Sequence, residues 1–433
     1  MPILNHRDYR TARAQIAQLM RALSRDGVIA DISAHLPADV AAARQQALRA
    51  ELERLETDVA AYEKLRGSPE QRDTEPTLDV DDLGLLPIIG RITRRLSQRE
   101  LAELLNMKEQ QVQRYERERY AGISLARYQR TLEVLGIELQ PRLLPLDESE
   151  TRAIVEPEPN EIPTDVLREI RKRGWVELPP DSGRDDQARC IALYIGEGAS
   201  LAKGVPYHRK SVSAKPDDAE KALAAWRVRV LRVAAERRSQ VRARFNIADP
   251  SWVKDLIALS IYPDGPLRAA EMLRAKGILL VVEPQLPHTL LDGAALLLLD
   301  GGVPVVGLTL RHDRLDNFWY TLLHELGHVF LHFNHGLEAG FLDDDLDGPS
   351  TDQVETEADS FARSQLLPDE VWNVSPARFA RSPTLISSFA QSRNIHPAIV
   401  AGRIRRDRND YRIFGDLIGR GQVRRLFLSG EAN

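Results

Sequence analysis

His324-Glu325-Leu326-Gly327-His328 sets two imidazoles four residues apart with a carboxylate beside the first. On an α-helix that spacing puts both rings on one face, one turn apart. They can share a metal ion while Glu325 falls next to it rather than on it. Zinc lowers the pKa of a bound water to about 7, and a neighbouring carboxylate can take the proton, which is the equipment for hydrolysing an unactivated amide. The bland reading is a helix with two satisfied surface histidines. The context weighs against it. Asn317–Leu323 leads in with apolar residues at helical spacing, and Val329-Phe330-Leu331-His332-Phe333 continues as a largely apolar element.

Such a site needs a third protein ligand. A three-histidine version would want glycine three positions after His328 and histidine six after; Leu331 and Asn334 stand there instead. Glu355 is the better candidate. It opens a helical pattern with Ala358, Phe361, Ala362 and Leu366 on one face, and Asp359 follows one turn later. From there Asp359 could hold the far nitrogen of a ligand histidine and fix its ring. Glu357 is the rival ligand, although two positions on it faces away from Glu355 and Asp359. Tyr320, His332 and His335 are candidate helpers for an oxyanion or substrate.

The run from Gly307 through His328, with Glu355–Ala362 and Leu366-Leu367-Pro368, resembles the ImmA/IrrE family of zinc metallopeptidases. The resemblance covers about residues 270–370. It implies His324, His328 and Glu355 as ligands of Zn²⁺ and Glu325 as the catalytic glutamate. Where this chain has Asp359 the family often has asparagine. The resemblance further implies a prokaryotic regulator whose substrate is a repressor or antitoxin-type protein.

The chain of 433 residues, 43% hydrophobic and 28% charged, has material for several domains. Its single cysteine, Cys190, excludes a disulfide framework and fits a reducing cytoplasm. There is no apolar N-terminal signal region and no run of the length a membrane span needs. A net charge of −5 argues against wholesale coating of nucleic acid, yet residues 85–142 carry eleven Arg/Lys against seven Asp/Glu. Within that patch, Ser97 with Glu100 forms a capping box, Leu101, Ala102 and Leu105 stripe a first helix, Asn106-Met107 turn, and Val112 with Tyr115 anchor a second. The pattern resembles the XRE type of helix-turn-helix, with flanking helices at 88–95 and 124–135. In that fold the second helix enters the major groove of double-stranded operator DNA. Glu109, Gln110, Gln113 and Arg114 would face the bases and Gln98 the phosphates, with Arg94, Arg95 and Arg99 adding phosphate contacts. The competing reading is a small bundle that binds protein.

Around these two centres the expected architecture is α+β. Residues 1–80 form a helical hairpin or coiled-coil arm, with Ile16, Leu19, Met20 and Leu23 on one stripe and Leu48, Leu52, Leu55, Val59 and Tyr62 on another. Either the arm packs on itself or it makes a homodimer that reads a palindrome. Arm and DNA-binding unit (85–145) together loosely resemble HigA-type antitoxins. Residues 146–165, rich in acid and proline, are a tether. Residues 166–260 are a helical support with Trp226, Val230 and Val233 on one face. Residues 270–370 are the zincin-like core, a small antiparallel sheet on the His-Glu helix, with strands at 277–282, 294–299 and 303–310. Gly293 and Gly307 are places for close backbone approach or turns. Residues 371–433 are a helical cap, in which a helix pair from Thr384 to Arg408 ends in Arg403, Arg405, Arg406 and Arg408. Asp343–Gly348 mimics a calcium loop, but its twelfth position is Val354 rather than glutamate.

The sequence thus points to a cytoplasmic DNA-binding regulator joined to a zinc endopeptidase of the HExxH, gluzincin-like kind, without a membrane partner. The alternative is a transcription factor or antitoxin whose zincin half only binds or senses a partner.

Overall fold

The computed structural model describes residues 3–24, 36–67, 80–120, 122–139, 163–177, 183–199, 201, 216–298, 302–333 and 351–428. It divides into two compact units, residues 1–21 with 51–150 and residues 22–50 with 151–433.

The first unit holds α1 (His6–Leu23) to its residue 21, the later part of α2 (Ala38–Arg66), and the bundle α3 (Leu86–Thr93), α4 (Gln98–Leu104), α5 (Glu109–Arg117) and α6 (Leu125–Val134). Ser97 caps α4 through a full capping box, its hydroxyl accepting from the Glu100 N–H and Glu100 accepting from the Ser97 N–H. Asn106 turns the chain between α4 and α5 at φ +52°, a left-handed position that asparagine tolerates. Leu101, Ala102, Val112 and Leu135 close a core that Leu96, Leu105, Met107 and Ile137 border. The Arg91–Glu116 ion pair is buried in this unit. Arg91 donates to both carboxylate oxygens of Glu116 at 2.5 and 2.8 Å and to the carbonyls of Leu96 and Leu4. Both side chains are about 95% buried.

The arm is not one piece. Residues 38–50 of α2 group with the second unit, where Arg44 is fully buried and donates to the carbonyls of Ile247 and Phe330. On the other stripe Met20 is exposed, and Ala12 joins Ile16 and Leu19 inside. Methionine at that position ends the apolar face sooner than the sequence pattern suggests.

The second unit is layered about a three-stranded sheet of β1 (Leu279–Val282), β2 (Gly293–Leu298) and β3 (Val303–Leu308) in the order β1-β3-β2. The β2–β3 ladder is antiparallel as expected, but β1 runs parallel to β3, so the sheet is mixed. Residues 283–292 are long enough to carry the chain past β3, and the short return from β2 then inserts β3 between the other two. Every residue of β3 is buried, as a strand covered on both faces requires. On one face α9 (Pro216–Arg237) presses Trp226 and Val230 over Gly307, where a Cβ would stand 2.9 Å from the indole. α7 (Thr164–Lys172) and α8 (Arg184–Ala199) complete that layer. Of the expected tether, 146–162 lies outside the described residues and Asp165 already sits in the first turn of α7.

The other face carries α12 (Leu315–Leu331), packed on β2 and β3 and flanked by α13 (Thr351–Leu366) and α16 (Pro397–Asp407). α10 (Val253–Ala258) and α11 (Gly265–Ala275) precede the sheet, while α14 (Asp369–Asn373), α15 (Pro383–Ser392) and α17 (Arg424–Leu428) accompany α16. Residues 343–348, the calcium-like stretch, lie outside the described residues. Among the described residues no helix is long and apolar enough to cross a membrane.

Arg91→Met strands a buried carboxylate and should cost the first unit about 3–5 kcal/mol. Amide exchange in α3–α5 of the full chain should accelerate accordingly, and adding Glu116→Leu should recover most of the loss. Unchanged exchange in the single variant would show that the pair does not hold the bundle.

Candidate functional site

α12 begins after extended Arg314, which pairs with Asp316 in the first helical turn at 2.9 Å. An acid there also suits the helix N-terminus. From the second turn onward almost every side chain is buried, because the helix is enclosed by the sheet and by α13. His324 and His328 rise from its α13-facing side.

Their Nε2 atoms stand 3.1 Å apart. Glu355, in the second turn of α13, brings Oε2 to 3.2 Å from His324 Nε2 and Oε1 to 3.6 Å from His328 Nε2. Zinc bonds of 2.0–2.1 Å at tetrahedral angles require donor separations of about 3.3–3.4 Å, so these three side chains fit one such ion. A two-imidazole, one-carboxylate set also suits zinc chemically and leaves a fourth position open. The three donors are the one group of this kind found among the described residues.

The far nitrogens fix the rings. His324 Nδ1 lies 2.9 Å from Asp359 Oδ1, and the Tyr320 hydroxyl donates to the same oxygen at 2.7 Å. His328 Nδ1 faces His332 Nδ1 at 3.3 Å, and His332 Nε2 lies 2.9 Å from Glu357. Gln353 donates to the other Glu357 oxygen at 2.8 Å. Read as one network, each carboxylate takes a ring N–H, and both Nε2 lone pairs are left to meet at the shared point. Burial opposes charge on His324, but Asp359 and Glu355 raise it to about 10; burial and the neighbouring His324 and His332 hold His328 well below its ordinary value. Burial would lift Glu357, yet the hydrogen bonds from His332 and Gln353 bring it below the usual carboxylate range.

Glu325 lies on the adjoining flank of α12, toward the sheet, close enough to His324 and Glu355 for their charges to act on it. It is buried, accepts from the Ala295 N–H, and is pushed up to about 7 mainly by burial. Gly293 makes room for it: a Cβ there would stand 2.7 Å from Glu325 Oε1. The glycine is therefore needed for close approach. β2 is an edge strand of the sheet, so Glu325 sits where an extended chain could run beside it.

Two of the three candidate helpers lie among the described residues. His332 is buried between His328 and Glu357, behind the pair rather than over a substrate, because it sits one further turn along the same face of the chain. The hydroxyl of Tyr320 is engaged by Asp359, on the Nδ1 side of His324. His335 lies outside the described residues. Glu357, weighed as a rival ligand, is instead the anchor of His332. Its signal was available: it is an acid two positions from Glu355, facing inward with the apolar stripe. Arg227 of α9, unremarked in the sequence, is a half-buried cation whose field reaches Glu325; desolvation lowers its pKa to about 10.

On the first unit, Glu109, Gln110, Gln113 and Arg114 are all exposed on α5, opposite buried Val112, Tyr115 and Glu116. Gln113 donates to Glu109 at 2.9 Å. Gln98, half-buried, donates to Glu116 at 2.8 Å, which fastens the start of α4 to α5 and orients its amide inward. Arg94 reaches the Gly136 carbonyl and Arg95 that of Arg66, while Arg99 pairs with Glu103. In the cap, Arg405 is buried, Arg403 pairs with Asp369 and Asp407, and Arg408 holds the carbonyls of Arg378 and Ala380.

No curated protein and no solved structure is matched by this chain. Two family descriptions do match, each over part of it. Residues 90–141 fit the helix-turn-helix family, the segment of α3–α6, and residues 295–391 fit the IrrE N-terminal-like domain, which spans β2 through α15 and contains all three donors. The chain thus carries one segment similar to the helix-turn-helix family and another similar to the IrrE N-terminal-like domain.

Proposed function

We propose that this chain is a DNA-binding transcriptional regulator carrying a zinc-dependent endopeptidase of the HExxH type, with a protein substrate. The carrying observation is the meeting of His324, His328 and Glu355 at one point, with Glu325 buried beside it against an edge strand. A metal-only structural site has no need of that fourth side chain.

Zinc bound by the three donors would polarise a scissile carbonyl and acidify a water. Asp359 and the His332–Glu357 pair hold the two imidazoles in the tautomer that presents Nε2. Glu325 takes the proton of the attacking water at its carboxylate and returns it to the leaving amine nitrogen, one group serving as base and then as acid. An extended substrate segment lies along the free edge of β2, paired through main-chain hydrogen bonds. Gly293 keeps the Glu325 carboxylate at that edge. Such a substrate is a repressor or antitoxin-type protein, in keeping with the family likeness, and the setting is the cytoplasm.

The exposed face of α5 enters the major groove of an operator, with Gln110, Gln113 and Arg114 toward base edges and Glu109 tying Gln113 in place. Gln98 contributes by bracing the recognition helix through Glu116 and by its position at the α4 N-terminus. Pairing of two chains through the arm would match a palindromic site.

Glu325→Gln should retain metal yet abolish the new N-termini that wild-type chain generates in cells, seen by N-terminal proteomics; persistent cleavage would remove Glu325 as base. Gly293→Ala crowds the same carboxylate and should cut cleavage at least about tenfold with metal content unchanged. For the other half, Gln110→Ala and Arg114→Ala should each weaken specific operator binding by about 1–3 kcal/mol in a gel-shift series while leaving proteolysis intact. Undiminished operator affinity would favour a protein-binding bundle.

A further inference from the structure

Beside the N-terminal half of α12, between it and α16, the second unit holds a cavity of about 430 Å³. We propose that this cavity is a binding site for a small organic anion, a phosphorylated or carboxylated molecule with an apolar part. The inference goes beyond the hydrolytic reading and does not depend on it.

Five arginines line the cavity: Arg314, Arg363, Arg403, Arg405 and Arg406. Two are neutralised by carboxylates. Arg314 pairs with Asp316, and Arg403 with Asp369 and Asp407. Asp292, the other lining acid, is taken by Arg311 at 3.1 Å. The remaining three guanidinium groups make no salt bridge among the described residues. Arg363 reaches the Ser360 hydroxyl at 3.5 Å, and Arg406 stands over the Tyr320 ring, 3.5 Å from its centre, where its charge also acts on Asp359. Arg405 is the telling one. It is 98% buried, donates one terminal nitrogen to the Tyr411 carbonyl, and leaves Nε and the other terminal nitrogen without a partner among the described residues.

A guanidinium is charged at any ordinary pH, and burying one with nitrogens unmatched is unfavourable. Asp316 lies close enough for its charge to be felt by Arg405, but its oxygens face Arg314. Arg405, buried with two nitrogens unmatched, therefore has a demand for a negative partner in this hollow, and the exposed guanidinium groups of Arg363 and Arg406 stand at the same wall to join it. Arginine's planar fork suits phosphate and carboxylate oxygens. The rest of the wall is apolar or aromatic, with Leu366, Leu367 and Ile399 joined by Tyr320 and Tyr411. The volume falls in the range of pockets that hold small molecules, about 300–1,000 Å³. Tyr320 belongs to both places, its ring under Arg406 and its hydroxyl on Asp359, so an occupant would border the chain of contacts that reaches His324.

The test is calorimetric titration of the full chain with phenyl phosphate, benzoate and inorganic phosphate. One equivalent of phenyl phosphate or benzoate should bind, at least about tenfold tighter than inorganic phosphate because the ring meets the apolar wall. Which of the two binds better identifies the headgroup. Arg405→Met should weaken binding at least about tenfold, and so should Arg363→Gln or Arg406→Gln, exposed positions whose replacement leaves the core untouched. Glu355→Ala, which disables the metal centre, should leave the affinity unchanged and so separates this cavity from an anion on zinc. Absence of saturable binding by both aromatic anions, or binding lost in Glu355→Ala but kept in the arginine variants, would overturn the proposal.

Discussion

Two helices can bring three donors to one point only if their backbones approach closely, and Gly327 sets that approach. A Cβ there would stand 3.0 Å from the Ala358 Cα and 3.2 Å from its carbonyl oxygen. The glycine between the two histidines thus lets α12 and α13 touch main chain to main chain at the level of the site. From that contact the rest follows by helical geometry. Ala358 is central to α13, so Glu355 and Asp359 come out on the histidine side and Glu357 turns toward His332. Each imidazole then has a carboxylate behind it, directly or through another ring. The arrangement orients both Nε2 atoms, through exposed Asp359 behind His324 and the buried His332–Glu357 pair behind His328.

The sheet-facing flank of α12 has a second close approach, to β2. Gly293 and the Ala295 N–H receive Glu325, and the register Gly293↔Leu308 places that contact on the face of the sheet away from α9. Two glycines therefore carry the site: one admits the ligand-bearing helix, the other the carboxylate. Between them α12 is clamped from both sides, and its cap-side flank borders the arginine-lined cavity through Tyr320. The first unit solves a separate problem. There the Arg91–Glu116 pair, with Gln98 on the same carboxylate, ties three helices so that the polar face of α5 stays outside.

What could be read from the sequence was what short-range geometry determines. The four-residue spacing of His324 and His328, the facing of Glu355 and Asp359, the Ser97 capping box and the buried stripe of α9 all depend on one helix at a time. Gly293 as a place of close approach was legible as a glycine inside a strand pattern, though not which side chain would use it. What escaped depends on pairs of elements. The His332–Glu357 contact exists because α12 and α13 cross where they do, so His332 read as a helper and Glu357 as a rival ligand. The parallel β1–β3 ladder depends on where residues 283–292 lead the chain. The division of α2 at residue 50 depends on Arg44 finding carbonyls some two hundred residues and more away. No periodicity encodes such partners.

The central claim is that His324, His328 and Glu355 hold one zinc ion. Its most direct test is metal content of freshly purified full chain, wild type beside Glu355→Ala, with X-ray absorption of the bound ion. The account predicts about one zinc per chain in a nitrogen- and oxygen-only shell containing two imidazoles, lost or much weakened in the variant. No metal in wild type after zinc addition, or full retention in Glu355→Ala with an unchanged shell, would contradict it.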